Sequence, residues 1–138
     1  MEVFLGGTTN DSNWRESLIP LLQCNYFNPV VENWDEQAQQ QEILKRKTCD
    51  ILLYVITPKM IGVYAVAEAV YDACNKPEKT IFCVLEKDDF NEWTEHQIKS
   101  LNMTKQLIED CGAVVCEDLN DVAKVINFRN KIKQNVII

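Results

Sequence analysis

No stretch of the sequence approaches the ~20 consecutive apolar residues that a membrane-spanning helix needs. The opening residues Met1-Glu2-Val3-Phe4 lack the basic and long apolar segments of an export signal, so the expected setting is cytoplasmic, with no membrane partner. Positive charge is also short. Lys and Arg number 14 against 21 Asp and Glu, a formal net charge of −7. A sequence-independent grip on polymeric nucleic acid needs clustered cations to neutralise phosphates, so that class is disfavoured, whereas a mononucleotide stays open as a ligand. The six cysteines, Cys24, Cys49, Cys74, Cys83, Cys111 and Cys116, include no CxxC pair. Zinc sites and disulfide frameworks use closer, regular spacing, so these residues are expected to be reduced and buried, packing as small hydrophobes, with no metal. Neither a GxGxxG fingerprint nor a Walker loop occurs, which weakens dinucleotide and triphosphate readings.

What the chain does contain is an ordinary globular composition, 46% hydrophobic and 25% charged over 138 residues, which fits one domain spanning 1–138. Apolar runs at Glu2 to Leu5, Ile51 to Ile56, Thr80 to Leu85 and Ala113 to Cys116 read as strands, with a shorter one at Tyr26 to Phe27. Helical segments fall between them at Trp14 to Leu22, Asp35 to Lys47, Val63 to Cys74, Thr94 to Asp110 and Leu119 to Lys133. Strands alternating with helices predict a parallel sheet wound by crossover helices, here an α/β three-layer sandwich of about five strands. Continuous apolar strands such as Ile51-Leu52-Leu53-Tyr54-Val55-Ile56 agree, because both faces of such a sheet are covered.

In open α/β sheets ligands bind beyond the carboxyl ends of the strands, where the winding reverses, and three loops qualify. The first is Gly6-Gly7-Thr8-Thr9-Asn10-Asp11-Ser12, whose glycines permit close backbone approach and whose hydroxyls and amide suit sugar or phosphate oxygens. A plain strand-to-helix turn with capping residues explains it as well. The second is Phe27-Asn28-Pro29-Val30-Val31 with Glu32-Asn33-Trp34: a residue before proline is pushed to an extended conformation, which would aim the Asn28 amide into the crevice, and Trp34 offers a flat face for a base. Loop geometry and core packing account for these residues equally. The third runs from Thr57 through Met60 and Gly62 to Tyr71, where Glu68 is the only formal charge between Met60 and Tyr71. A carboxylate in apolar surroundings is costly unless partnered, and Tyr64 and Tyr71 lie on its face of the helix. A half-exposed residue near a helix start is the competing account of Glu68. His96 reads as an exposed helix residue and Glu86-Lys87-Asp88-Asp89 as a solvated loop without metal-ligand spacing.

Taken together the loops resemble the nucleoside 2-deoxyribosyltransferases, especially their short bacterial and phage relatives. The resemblance rests on Val3-Phe4-Leu5-Gly6-Gly7-Thr8-Thr9-Asn10 with Trp14-Arg15, on Tyr26-Phe27-Asn28-Pro29-Val30-Val31, and on Cys49-Asp50. It continues through Tyr54-Val55-Ile56-Thr57-Pro58-Lys59-Met60, Gly62-Val63-Tyr64, Ala67-Glu68 and Lys79-Thr80-Ile81-Phe82-Cys83. It implies a flavodoxin-like (Rossmann-like) fold, no cofactor, and chemistry at C1′ of a deoxynucleoside or deoxynucleotide. Glu68 would be the nucleophile, Tyr64 its orienting partner and Asp50 a further acid. Gly6, Gly7, Thr8, Thr9 and Asn10 would lie on the sugar, with Asn28, Trp34, Met60 and Gly62 also at the substrate. The partners implied are a nucleoside or nucleotide, a free base, and further copies of the chain in a homo-oligomer. One departure is visible: an Asp-Ser-Gly element precedes the glutamate in characterised transferases, and Gly62-Val63-Tyr64 stands there instead. A catalytically silent nucleotide-binding module and a flavin-binding relative are the other readings of the same crevice.

Overall fold

The computed structural model describes residues 1–136. Five parallel strands form one sheet: β1 (Glu2–Gly7), β2 (Asn25–Phe27), β3 (Ile51–Ile56), β4 (Thr80–Val84) and, last in the chain, β7 (Val114–Cys116). The order across the sheet is β2-β1-β3-β4-β7, which is the flavodoxin-like winding expected of the sequence. A two-residue antiparallel hairpin, β5 (Lys87–Asp88) with β6 (Asn91–Glu92), replaces the open acidic loop anticipated there.

The three central strands, β1, β3 and β4, are buried on both faces along most of their length, and their period of two splits the core in half. Val3, Leu5, Leu53 and Val55 pack with Trp14 and Leu18 of α1 (Trp14–Leu18) and with Val122 and Ile126 of α5 (Leu119–Val136). Phe4, Leu52, Tyr54 and Ile56 turn the other way, against Ala69 and Ala73 of α3 (Tyr64–Asn75) and Leu101 and Ile108 of α4 (Glu95–Asp110). Each such aliphatic side chain contributes roughly 1.5–3 kcal/mol on leaving water. The remaining helix, α2 (Glu36–Thr48), buries no residue fully and is held on the α3 face largely by charge.

Helix ends follow their local chemistry. Asp35 caps α2 by accepting from the Ala38 N–H at 2.8 Å, and Thr94 with Gln97 forms a reciprocal capping box on α4. Gly112 takes the left-handed conformation just past α4, φ +96°. The first helix is shorter than expected, because Pro20 lacks an N–H and the chain tightens into a 3₁₀ turn over Ile19–Leu21. The expected burial of all six cysteines needs correction. Cys49, Cys83 and Cys116 are buried, Cys24 and Cys111 only partly so, and Cys74 is exposed, since it lies on the solvent side of the last turn of α3. Among the described residues no helix is long and apolar enough to cross a membrane.

Candidate functional site

The winding reverses between β1 and β3, and beyond their carboxyl ends lies a cleft of about 450 Å³, within the usual range of small-molecule sites. Its floor is the end of β1. Gly6 and Gly7 are not loop residues, as the sequence suggested, but the last two residues of the strand, paired with Tyr54 and Val55. A Cβ on Gly6 would sit 2.7 Å from the Tyr54 ring, and one on Gly7 only 2.0 Å from the Val55 carbonyl oxygen; Gly7 also has φ +124°. Only glycine lets the strand run this close to β3 while it turns toward the cleft.

The turn that follows is fastened from within. Thr8 donates its N–H to the Val55 carbonyl at 2.9 Å, and its hydroxyl accepts from the Thr57 N–H at 2.9 Å. Arg15, 3% exposed, donates to the carbonyls of Leu5 (3.0 Å), Thr8 (2.8 Å) and Gly7 (3.4 Å). Burial lowers its pKa to about 10, so the guanidinium is still charged at neutral pH. Farther out, the Asn10 side-chain oxygen accepts from the Ile61 N–H at 3.3 Å. Lys59 ties the same rim together: it donates to the Asp11 carbonyl at 3.0 Å and pairs with Asp88 and Asp89 of the hairpin, while Ser12 donates to Asp88.

One wall is Pro29, Val30, Val31 and Trp34, the other Met60, Gly62, Tyr64 and Ala65. Trp34 is 58% exposed with its ring at the cleft, and its indole N–H lies 3.5 Å from Glu42, at the outer limit of a hydrogen bond. Asn28 does not join the lining residues. Its side-chain oxygen accepts from the Val30 N–H at 3.1 Å, so the amide that proline was expected to turn inward closes a local Asx turn instead.

Glu68 lies at the back of the cleft, 8% exposed, on the second turn of α3. Burial pushes its pKa up to about 7; Arg46 opposes that, and the nearby charges of Glu42 and Asp72 add to it. Arg46 is the cation that the isolated carboxylate required. Its Nη1 lies 3.2 Å from Glu68 Oε2, while Nη2 reaches both oxygens of Asp72 at 3.1 Å and Nε donates to the Tyr54 hydroxyl at 3.1 Å. Tyr54 in turn donates to Asp72, and its pKa is held well above the phenol range by burial and by that carboxylate.

Two expectations about partners are therefore corrected. Among the described residues the ion pair of Glu68 is with Arg46, not with a tyrosine: Tyr64 is 70% exposed at the cleft wall and Tyr71 faces a separate groove between α3 and α4. Asp50 lies at the amino end of β3, across the sheet from the cleft, where it accepts from the Glu2 N–H at 2.8 Å and pairs with Lys133. The acid suggested by resemblance thus serves the opposite edge of the fold.

Sequence reasoning gave no role in the site to Arg15, Glu42, Arg46 or Asp72. A signal existed for the last two. Glu68 and Asp72 are four apart on an otherwise apolar helix, so both must face one cation. Glu42, beside Trp34 and opposite Glu68, gives the cleft a second carboxylate. Among the described residues no group of three or more His, Cys, Asp or Glu is gathered as for a metal ion. The sequence model of one family, described as nucleoside 2-deoxyribosyltransferase like, matches residues 1–90, which include every residue of the cleft. No curated protein matches the chain.

Proposed function

The chain belongs to the nucleoside 2-deoxyribosyltransferase-like family, and from that premise we propose that it breaks the N-glycosidic bond of a deoxynucleoside or deoxynucleotide by double displacement. The observation that carries the reading is Glu68: a largely buried carboxylate at the switch-point cleft, ion-paired on Oε2 and open to the cleft. A carboxylate so placed attacks C1′, the electron pair of the C1′–N bond leaves with the base, and a proton is delivered to that base. The deoxyribosyl ester on Glu68 is then resolved by a second base, giving transfer, or by water, giving hydrolysis.

Gly6, Gly7, Thr8, Thr9 and Asn10 border the sugar in this reading, with Met60 and Gly62 on the facing wall. Trp34 stacks on the base. The place of an acid at Gly62 is empty of side chain, and nothing lies within 4 Å of where a Cβ would be. Glu42, on the neighbouring helix, supplies the carboxylate for the base instead, and Tyr64 is close enough to the wall to donate a hydrogen bond to the leaving group. The protein acts as one domain, since its five-stranded sheet draws strands from residue 2 to residue 116, and works in the cytoplasm, in keeping with free thiols at all six cysteines. Ile61, Val63 and Tyr64 expose apolar surface at the rim, 80%, 69% and 70%, which a second copy of the chain would cover. Light scattering on the purified protein checks that last point.

Incubation with the deoxynucleosides and their 5′-monophosphates, with and without an acceptor base, tests the reaction. Base release by wild type and none by Glu68→Ala is expected; equal release by the two refutes it. A product formed only with acceptor identifies a transferase. The bare Gly62 favours one other reading, a silent nucleotide-binding module, which predicts a raised melting temperature with nucleotide and no turnover.

A further inference from the structure

Tyr54, Asp72 and Arg46 come from β3, α3 and α2, and they meet behind Glu68 rather than in the cleft. Asp72 is 1% exposed and Tyr54 fully buried, so the guanidinium is gripped from the protein side by partners that cannot move away. Only Nη1 remains for Glu68, and it approaches one oxygen, Oε2. Neither carboxylate oxygen of Glu68 accepts a hydrogen bond among the described residues, yet no fully buried polar side-chain atom there is left unpartnered; both oxygens therefore reach solvent, and Oε2 is held by charge alone.

We propose that Arg46 is the positioning residue of the nucleophile, clamped by Asp72 and Tyr54 so that it anchors the Glu68 carboxylate by charge at the back of the cleft and presents it, ionised, to C1′. The proposal rests on the reading of Glu68 as nucleophile and adds the device that sets its aim and charge. The charged and titratable groups facing Glu68 are Arg46 and Glu42 from α2, Asp72 and Tyr64 from α3, Tyr54 from β3 and Arg15 from α1. Of the two cations, Arg15 is committed to three backbone carbonyls, which leaves Arg46 to hold the carboxylate ionised against Glu42 and Asp72.

The test is the pH profile of kcat and KM for base release by wild type, Arg46→Met, Arg46→Lys and Glu68→Ala. Loss of a cation within 4 Å should move the acid limb of Arg46→Met upward by about one to three pH units, since its removal takes away what favours the charged carboxylate. The defect should be about 10–100-fold larger at pH 6 than at pH 9, with KM changed less than about threefold. Arg46→Lys should keep the limb and lose about tenfold in kcat, because a point charge cannot grip Asp72 and Glu68 in the fork geometry. A limb that stays in place, or a loss confined to KM, overturns the proposal; if Arg46→Met does not fold, a wild-type kcat in Arg46→Lys overturns it equally. Wild-type activity that survives Glu68→Ala refutes the reading beneath it instead.

A separate observation carries a second inference. Cys74, exposed at the end of α3, and Cys111, at the end of α4, bring their sulfurs to 3.1 Å, about 1 Å beyond a bond. We infer that this pair is a site of reversible oxidation by a peroxide. One thiol loses its proton and attacks a peroxide oxygen, breaking the O–O bond to give a sulfenic acid and hydroxide; the second, also deprotonated, attacks that sulfur and expels a second hydroxide to leave one disulfide, and the two hydroxides take up the two thiol protons as water. The bond would tie α3, which carries Glu68, to α4. With limiting hydrogen peroxide the intact mass should fall by about 2 Da, peptide mapping should join residues 74 and 111, and the melting temperature should rise about 5–10 °C, reversed by dithiothreitol. Cys74→Ser should abolish all three changes. Oxidation that spares this pair, or that links separate chains, overturns the inference.

Discussion

Replacing Gly7 by alanine perturbs the fold at the point where β1 becomes the floor of the cleft. The added Cβ would lie 2.0 Å from the Val55 carbonyl oxygen and 2.7 Å from the Val55 nitrogen. Neither atom can yield cheaply, because that carbonyl receives the Thr8 N–H at 2.9 Å and β3 is paired on both sides. The residue also sits at φ +124°, where side chains are strained by about 1–3 kcal/mol. Adding one or two disrupted ladder hydrogen bonds at about 1 kcal/mol each gives a loss of about 2–5 kcal/mol. A domain of this size has a total stability of about 5–15 kcal/mol, and its unfolding entropy converts that loss to about 7–17 °C in Tm. Thermal unfolding followed by circular dichroism measures it. Gly62→Ala is the control: nothing lies within 4 Å of its Cβ, so its cost should stay within about 0.5 kcal/mol. A Gly7→Ala variant melting within about 3 °C of wild type, or a Gly62→Ala variant equally damaged, would refute the close-approach argument.

Two further predictions concern the cleft. Because the folded-state pKa of Glu68 is raised from 4.5 to about 7, the folded protein holds that proton more tightly than the unfolded chain does. Its ionisation therefore costs stability progressively between about pH 4.5 and pH 7, and the full cost remains above. Glu68→Gln should be more stable than wild type by about 1–3 kcal/mol at pH 8 and nearly equal to it at pH 4, by urea denaturation at both pH values. A variant less stable than wild type at pH 8 would contradict this. Trp34→Ala should leave Tm within about 2 °C, since the ring is largely exposed, but weaken nucleoside binding about 10-fold or more in calorimetry, the loss of one stacking platform; unchanged affinity would remove Trp34 from the site.

The fold was legible where one physical rule acts alone. Apolar runs such as Ile51–Ile56 admit only a doubly covered strand, and the five-stranded parallel sheet follows from their alternation with helices. The position of Glu68 was legible for a related reason, because an acid in an apolar helix demands compensation. Its partner was not. Arg46 is part of Lys45-Arg46-Lys47, which looks like ordinary basic residues at a helix end, and nothing local says that one of the three points inward. Asp50 and Asn28 were misplaced for the opposite reason: polar residues near strand ends satisfy backbone N–H groups of Glu2 and Val30, and sequence does not distinguish that duty from a ligand contact. Burial of Cys74 was misjudged because an apolar stretch of α3 ends with one side still facing water.

The Lys59 contacts make the two sides of the cleft mechanically unequal. Three loops that leave three different strands, around Asp11 and Ser12, at Lys59 to Ile61, and at Asp88 to Asp89, are cross-braced into one rim. The opposite side, from Val30 to Trp34, is exposed and fastened to its surroundings by far less. The cleft is thus a vice with one fixed jaw, and the jaw that carries the tryptophan is the side with fewer ties to resist adjustment. Amide exchange should register the difference directly, with faster exchange in residues 30–34 than in residues 57–61, and the gap should narrow when a nucleoside is bound.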